Sequence, residues 1–159
     1  MLKKKIFYLF LIFCFFLIDR LSKYWAIKNL NIEEKIEVVL SPFLSLNLIW
    51  NHGIAFGLLS VDEKSYYNLI TGLIIIVTII VLLMMIKARG IEKYGFLMIF
   101  GGSIGNIFDR LFYSAVPDFI DFHYENIHWF IFNVADIFIS LGVFLLIFKE
   151  FVLKDKKKI

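Results

Sequence analysis

Three aspartates in the second half of this chain stand in strongly apolar sequence, without a basic residue at helical spacing. They are Asp118, Asp121 and Asp136, and Asn133 lies one turn before the last of them. Two carboxyl groups brought together can share one proton, so that one activates water while the other donates to a carbonyl oxygen. The chain offers no activated Ser, Cys or Lys for covalent catalysis. These groups favour amide hydrolysis by an aspartate pair, and a proton-coupled transporter using the same acids is the alternative.

Two further polar pairs lie in apolar stretches at a spacing of four residues, which puts each pair on one helical face. Asp19 and Lys23 can neutralise each other in a low-dielectric setting, which favours a structural ion pair over a direct catalytic role. Asn106 and Arg110 form the second pair. The guanidinium can pair with the adjacent loop or bind an anionic or carbonyl group of a ligand.

Two other kinds of active site match the sequence poorly. Residues Gly101–Gly105 fit the nucleophile elbow of serine hydrolases, but that motif needs a strand-to-helix turn and these residues lie in an apolar helical stretch. Small residues in a membrane helix more often allow close helix packing. His123 and His128 are five residues apart, so they do not share a helical face, and no metal-binding pattern flanks them or His52. We interpret the histidines as interfacial polar residues and expect no metal and no cofactor.

The composition indicates which elements must position these groups. Of the 159 residues, 60% are hydrophobic and 18% aromatic, whereas soluble domains are about 45–50% apolar. A bilayer span takes roughly 20 apolar residues, so the chain can hold about four. One Cys excludes an internal disulfide framework, and a net charge of +3 is too small to suggest nucleic-acid binding. We therefore predict an all-α membrane protein with four transmembrane helices.

The predicted protein is a single integral membrane domain over residues 1–159. Its helices cover about 6–27, 67–86, 94–113 and 129–148, and an extracytoplasmic loop covers 28–66. Residues 36–48 of that loop are rich in Val, Leu and Ile around Pro42, which predicts short strands. A cleaved signal peptide ending before Cys14 is disfavoured, because the preceding Ile12 and Phe13 are not small.

The basic residues predict the orientation. Three clusters fall on one side of the predicted membrane, which the positive-inside rule makes cytoplasmic: Lys3–Lys5, Lys87–Lys93 and Lys149–Lys158. Both termini are then cytoplasmic. With this topology the polar residues of the first, third and fourth helices share one depth near the extracytoplasmic face. Intramembrane ionisable residues are functional candidates by default, so this depth is the predicted active site.

At these residues the chain resembles lipoprotein signal peptidase (signal peptidase II), a family of bacterial intramembrane aspartic proteases. The match covers nearly the whole length in four blocks that follow the family's order: Asp19–Lys23, Asn51–Gly57, Gly101–Arg110 running on to Val116–Phe119, and Phe132–Asp136. The departures are small. Ser114 stands where the family usually has Gly, Ile54 where Ala is common, and Pro117 where an aliphatic residue is frequent.

The resemblance implies residue roles. The family's catalytic aspartates fall on Asp118 and Asp136. Its further substrate-binding or supporting residues fall on Asp19, Lys23, Asn51, Gly102, Asn106, Arg110 and Asn133.

The resemblance also implies a substrate and a location. The substrate is a diacylglyceryl-modified prolipoprotein, cut just before its lipidated cysteine. The location is the bacterial cytoplasmic (inner) membrane, with several spans and with membrane lipid as a partner. We expect a monomer that binds no nucleic acid.

Overall fold

The computed structural model describes residues 2–30, 37–53, 64–125 and 127–154. As the sequence predicts, these residues are mostly helical and include a small antiparallel sheet. The helices are α1 (Leu2–Asn29), α2 (Lys64–Lys87), α3 (Ile91–Tyr113) and α4 (Val134–Lys154). The strands are β1 (Val38–Ser41), β2 (Leu44–Asn51), β3 (Val116–Tyr124) and β4 (Ile127–Phe132).

All four helices are long enough to cross a bilayer. The shortest, α4, has 21 residues, and at about 1.5 Å per residue it spans roughly 30 Å. Within the described part of the chain, one helix is also apolar enough by composition alone, over Tyr67–Lys87 of α2 with a mean hydropathy of 3.2. The other three carry more charged residues, which in α3 and α4 lie toward the two ends of the helix. Four spans therefore remain a prediction.

The helices place Lys93 of α3 and Lys149 of α4 at the end of the molecule opposite the acidic site. At one end, the ring of Tyr8 in α1 contacts Tyr94 and the ammonium group of Lys93 in α3. At the same end, Lys149 near the end of α4 pairs with Glu92. The sheet and the buried aspartates lie at the other end, where α3 leads into β3 and β4 leads into α4.

Glycines of α3 allow the helices to approach closely where the site is built. A Cβ on Gly102 would lie 2.5 Å from the carbonyl oxygen of Ala135 in α4. A Cβ on Gly105 would overlap the carboxylate of Asp19 in α1. Ser103 lies inside the same helix and not at a strand-to-helix turn. The structure therefore supports the packing interpretation of this glycine motif over a serine nucleophile elbow.

The sheet caps the polar end of the bundle. Its strand order is β1-β2-β3-β4, and every neighbouring pair is antiparallel. Leu48 of β2 and Phe119 of β3 pack against Ala26 and Leu30 at the end of α1, and all four are buried. This apolar cluster fixes the sheet on the helices, so that β3 runs directly over the end of the bundle.

Two sequence assignments need correction. The fourth helix was predicted to begin at 129, but Trp129 and Phe132 belong to β4 and the helix begins at Val134. Only residues 36–48 were predicted to form strands, whereas β3 and β4 form half of the sheet. The reason is that a short, continuous apolar run looks alike in a buried strand and in a helix.

The turn from α3 into β3 accommodates both unusual residues near Asp118. Ser114 caps α3 in the left-handed conformation, with φ 55°, which explains why glycine is favoured there. Pro117 pairs with Trp50 of β2, while the register with β4 begins only at Ile120. Pro117 therefore lies near the start of its strand, one of the positions where proline is tolerated in a sheet.

Candidate active site

Asp118 lies near the start of β3, and its carboxylate is held by two amide groups. Asn51, the last residue of β2, donates from Nδ2 to one carboxylate oxygen at 2.8 Å. Asn133 donates from Nδ2 to the other oxygen at 2.6 Å. Asp118 is only 3% exposed. Both oxygens of this buried acid are therefore oriented by neutral donors.

Asp136 is fixed by the start of α4. The side chain of Asn133 accepts a hydrogen bond from the backbone N–H of Asp136 at 3.2 Å, and the Asp136 carboxylate accepts one from the backbone N–H of Asn133 at 3.2 Å. This reciprocal pattern is a capping box, in which Asp replaces the usual Glu or Gln. These two hydrogen bonds lie where β4 ends and α4 begins. They therefore also set the orientation of the Asp136 carboxylate.

Asn133 therefore joins the two aspartates. Its amide nitrogen binds Asp118, its amide oxygen caps α4, and its backbone N–H binds Asp136. All of its side-chain polar groups are used, and Asn133 is fully buried. The spacing of residues 133 and 136 is visible in the sequence, but the contact with Asp118 exists only because β3 and β4 pair.

Both carboxylates face one cavity of about 250 Å³ between the sheet and the bundle. Its polar lining includes Asn51, Asn106, Arg110, Asn133, Ser103 and Ser140. A second, more apolar cavity of about 310 Å³ shares Asp136 and Ser140 with the first. It continues along Phe130, Phe132, Ile137 and Leu141, so the site is open toward the outer surface of α4.

Asn106 connects Asp136 to a buried group of charges. Its amide nitrogen donates to Asp136 at 2.8 Å, and its amide oxygen accepts from the ammonium group of Lys23 at 2.8 Å. Lys23 also pairs with Asp19 at 2.9 Å and with Asp109 at 2.6 Å. The predicted Asp19–Lys23 pair is therefore present, as part of a larger network.

Two members of this network were missed by the sequence reasoning. Arg20 bridges the carboxylates of Asp19 and Asp109, so that two cations neutralise two acids. Asp19 and Asp109 are fully buried. A contact between α1 and α3 leaves no spacing signal in the sequence. The available clue was that Arg20 and Asp109 lie inside two of the four blocks.

Arg110 reaches the cavity from α3. One guanidinium nitrogen donates to the carbonyl oxygen of Gly53, and the guanidinium lies over the ring of Tyr67. Of the two alternatives for Arg110, pairing with a loop is therefore present, with the segment that follows β2. Its Nε and second terminal nitrogen are buried and have no hydrogen-bond partner among the described residues. These two donors are available for a ligand in the cavity.

The remaining residues from the sequence divide into supporting and distant groups. Gly102 contacts the backbone of α4 and serves packing rather than the cavity lining. Asp121 was interpreted as a carboxylate without an evident cation. It is fully buried, and its Oδ2 lies 2.6 Å from Nδ1 of His128 across the β3–β4 hairpin, a contact that is an ion pair only when the histidine is protonated. Ile54–Gly57 of the second block lie outside the described residues.

The surroundings of Asp118 alter its acidity. The pKa of Asp118 is raised to about 6, chiefly because burial disfavours the charged carboxylate and next because the Asp136 carboxylate is close. The amide donors Asn133 and Asn51 act in the opposite direction. A carboxyl group that titrates near pH 6 can accept and return a proton close to neutral pH.

Comparisons with known proteins identify the family of this chain. Residues 11–152 match the profile of the family described as signal peptidase (SPase) II. The chain is 48% identical over 149 residues to the lipoprotein signal peptidase of Pelagibacter ubique (strain HTCC1062), covering 94% of this chain and 90% of the relative. It is 40% identical to that of Wigglesworthia glossinidia brevipalpis, covering 88% and 91% of the two chains.

The fold also has a solved counterpart. A bacterial membrane enzyme determined at 2.3 Å resolution superposes with a TM-score of 0.74 at 25% identity, covering 95% of this chain and 90% of that one. The family model and the relatives thus define a protease, and the solved counterpart is a membrane enzyme. The chain belongs to the signal peptidase II family, as the resemblance predicted. Family membership favours hydrolysis over the transporter alternative.

Proposed function

We propose that the protein is an intramembrane aspartic endopeptidase that removes signal peptides from diacylglyceryl-modified prolipoproteins. Cleavage takes place just before the lipidated cysteine. The observation that carries the proposal is that Asp118 and Asp136 face one cavity and are joined through Asn133. The relatives described as lipoprotein signal peptidases support the substrate class.

The two acids divide the work of amide hydrolysis. One carboxylate accepts a proton from water, whose oxygen attacks the scissile carbonyl carbon, while the other acid donates its proton to the carbonyl oxygen. The resulting diol collapses as the C–N bond breaks and the leaving nitrogen takes up a proton. The products are a signal peptide with a free carboxyl group and a lipidated cysteine with a free amine. One shared proton at the start is sufficient for this sequence.

The neighbouring residues favour that starting state. Each aspartate accepts hydrogen bonds from uncharged groups, so neither carboxylate is neutralised by a direct ion pair within the described structure. Asn106 lies between Lys23 and Asp136 and forms a hydrogen bond with each of them. Arg110 supplies two donors that are unpaired among the described residues and can hold a substrate carbonyl group.

The second cavity gives a lipid-borne substrate a route to the acids. Its wall of Phe130, Ile137 and Leu141 is apolar and partly exposed on the outside of α4. A signal peptide lies in the bilayer as a helix, so its cleavage site can enter sideways without leaving the membrane. We propose four spans in the inner membrane, cytoplasmic termini, an extracytoplasmic site and a monomeric enzyme that needs no cofactor.

Cleavage of a synthetic diacylglyceryl peptide by the purified protein tests this function. Asp118→Asn and Asp136→Asn should each accumulate normally and lose at least about a thousandfold in turnover, because proton exchange is removed while size is kept. Glu37→Gln is the matched control, since Glu37 is exposed at the start of β1. The mass of the released peptide reports the cleavage position.

Asp121 is unsuitable as a control, because it is buried and bonded to His128. Substantial cleavage by either Asn variant would contradict the aspartate pair. A wild-type protein that cleaves nothing, but carries a solute in response to a proton gradient, would support the transporter instead.

A further inference from the structure

The β3–β4 hairpin carries a cluster of metal-binding side chains away from the active site. Asp121, His123 and His128 each offer a ligand atom, and these atoms lie within 4.8 Å of one another. Asp121 and His123 are two apart on β3, and His128 stands directly opposite His123 on β4. None of the three lines the cavity that holds the catalytic pair.

The cluster contains buried polar atoms that lack a protein partner. Asp121 is fully buried, and its Oδ1 has no hydrogen-bond partner among the described residues, while its Oδ2 binds His128. His123 Nδ1 is also buried without a partner there. Unpaired buried polar atoms are costly. A cation between these side chains would satisfy both.

We propose that Asp121, His123 and His128 bind a divalent transition-metal ion of the Zn²⁺ type. Two imidazoles and one carboxylate suit zinc, whereas Mg²⁺ and Ca²⁺ prefer oxygen ligands alone. Zinc sites with three protein ligands keep a fourth position for water. The ion would connect β3, the strand that also carries Asp118, to β4.

The present geometry needs only a small adjustment. At metal–ligand bonds of about 2.0–2.1 Å, tetrahedral ligand atoms lie roughly 3.4 Å apart. Separations of up to 4.8 Å between the ligand atoms must therefore close by at most about 1.4 Å. The His128 side chain is 51% exposed, so its ring can turn and the ion can enter from solvent. The ion competes with the Asp121–His128 hydrogen bond of 2.6 Å.

The sequence reasoning missed this cluster because it tested the two histidines for a helical face. A separation of five residues is wrong for a helix, but it places the two rings on opposite sides of a hairpin with their centroids 5.5 Å apart. The proposal does not depend on the proposed peptidase mechanism.

Zinc binding to tag-free, EDTA-treated protein in detergent tests the proposal. We expect one Zn²⁺ per chain by equilibrium dialysis with mass-spectrometric metal analysis, and a rise in the thermal midpoint that equal Mg²⁺ does not produce. His123→Ala and His128→Ala should each weaken zinc binding at least about tenfold. His52→Ala is the matched control, since His52 is the chain's third histidine, is exposed, and lies within hydrogen-bond distance of the carbonyl oxygen of Ser114 rather than in the cluster.

A second variant separates binding from folding. His128→Gln can still donate to Asp121 but supplies no imidazole, so it should keep the metal-free thermal midpoint and lose the zinc-induced rise. The proposal is overturned if the wild type binds no zinc at micromolar free metal. It is also overturned if the double variant His123→Ala/His128→Ala binds zinc as tightly as the wild type.

Discussion

Asn133 is the residue through which the two catalytic candidates depend on each other. It caps α4 and donates to Asp118 with the same side chain. Serine can cap a helix as well as asparagine but has no amide to reach Asp118. A pair of substitutions can therefore separate the cap from the catalytic contact.

Asn133→Ala should lower the free energy of unfolding by about 1–2 kcal/mol, the typical cost of a lost cap, and should also reduce turnover strongly. Asn133→Ser should recover most of that stability and little of the activity. Thermal midpoints and kcat for the two variants check this. Equal recovery of both properties in Asn133→Ser would mean that the amide contact with Asp118 is unimportant.

The acidity of Asp118 predicts the acid limb of the pH profile. Because its pKa is about 6, the pair should lose its basic carboxylate as the pH falls through 6. The value of kcat/KM should then decrease about tenfold per pH unit below that point. Initial rates between pH 4.5 and 8 measure the limb. Constant rates down to pH 5 would contradict the assignment.

The same ionisation affects stability in a defined direction. An unfolded aspartate titrates near about 3.9, so between pH 4 and 6 the folded protein binds more protons than the unfolded chain. Its free energy of unfolding should therefore decrease as the pH rises through this window, by up to about 3 kcal/mol. Asp118→Asn should lack this contribution, which gives the pH profile an independent control.

At the scale of the elements, buried charges hold α1 against α3. Lys23 and Arg20 of α1 face Asp109 of α3 and Asp19 of their own helix. The glycine at 105 allows this approach, because any Cβ there would overlap Asp19. The helix contact and the charge network therefore require each other.

Lys23→Met should reduce both folded yield and turnover. It leaves two buried carboxylates with one guanidinium, and breaking a buried pair costs about 3–5 kcal/mol. It also removes the donor that orients Asn106 toward Asp136. Lys28→Met is the matched control, because Lys28 is exposed near the end of the same helix. Accumulation in the membrane and the thermal midpoint should fall for Lys23→Met and stay unchanged for Lys28→Met.

At the scale of the whole molecule, two lysines near the ends of α3 and α4 lie opposite the candidate active site. Lys93 and Lys149 lie at the end opposite the aspartates. The positive-inside rule predicts that this end is cytoplasmic. The sheet and the cavity then lie toward the outer face, where the cleavage site of a membrane-bound signal peptide would be.

Reporter fusions test this orientation. Fusions at residue 159 and within residues 87–93 should read cytoplasmic, and a fusion near residue 34 should read extracytoplasmic. Alkaline phosphatase and a cytoplasm-active fluorescent protein give opposite signals at each position, so each serves as the other's control. An external signal from residues 87–93 would contradict the placement of the active site.

Helix existence and the individual chemical groups were readable from the sequence. Long apolar segments separated by charged turns predict the four helices, since a segment of about 20 apolar residues is typical of a membrane-spanning helix. The pairs Asp19–Lys23 and Asn133–Asp136 were visible because helical spacing is local. The start of α4 was misplaced at 129, since periodicity does not distinguish a strand such as β4 from a helix.

The sequence by itself determined the residues of the proposed catalytic pair and their family, because residue types, local spacing and block order are properties of the chain. The tertiary structure decided what surrounds them. Asn51 reaches Asp118 only through the pairing of β2 with β3, and Asp109 joins Lys23 only because α1 and α3 meet at a glycine. His123 and His128 become neighbours only in a hairpin. These contacts link residues whose proximity depends on strand register and helix packing, and neither is encoded in local spacing.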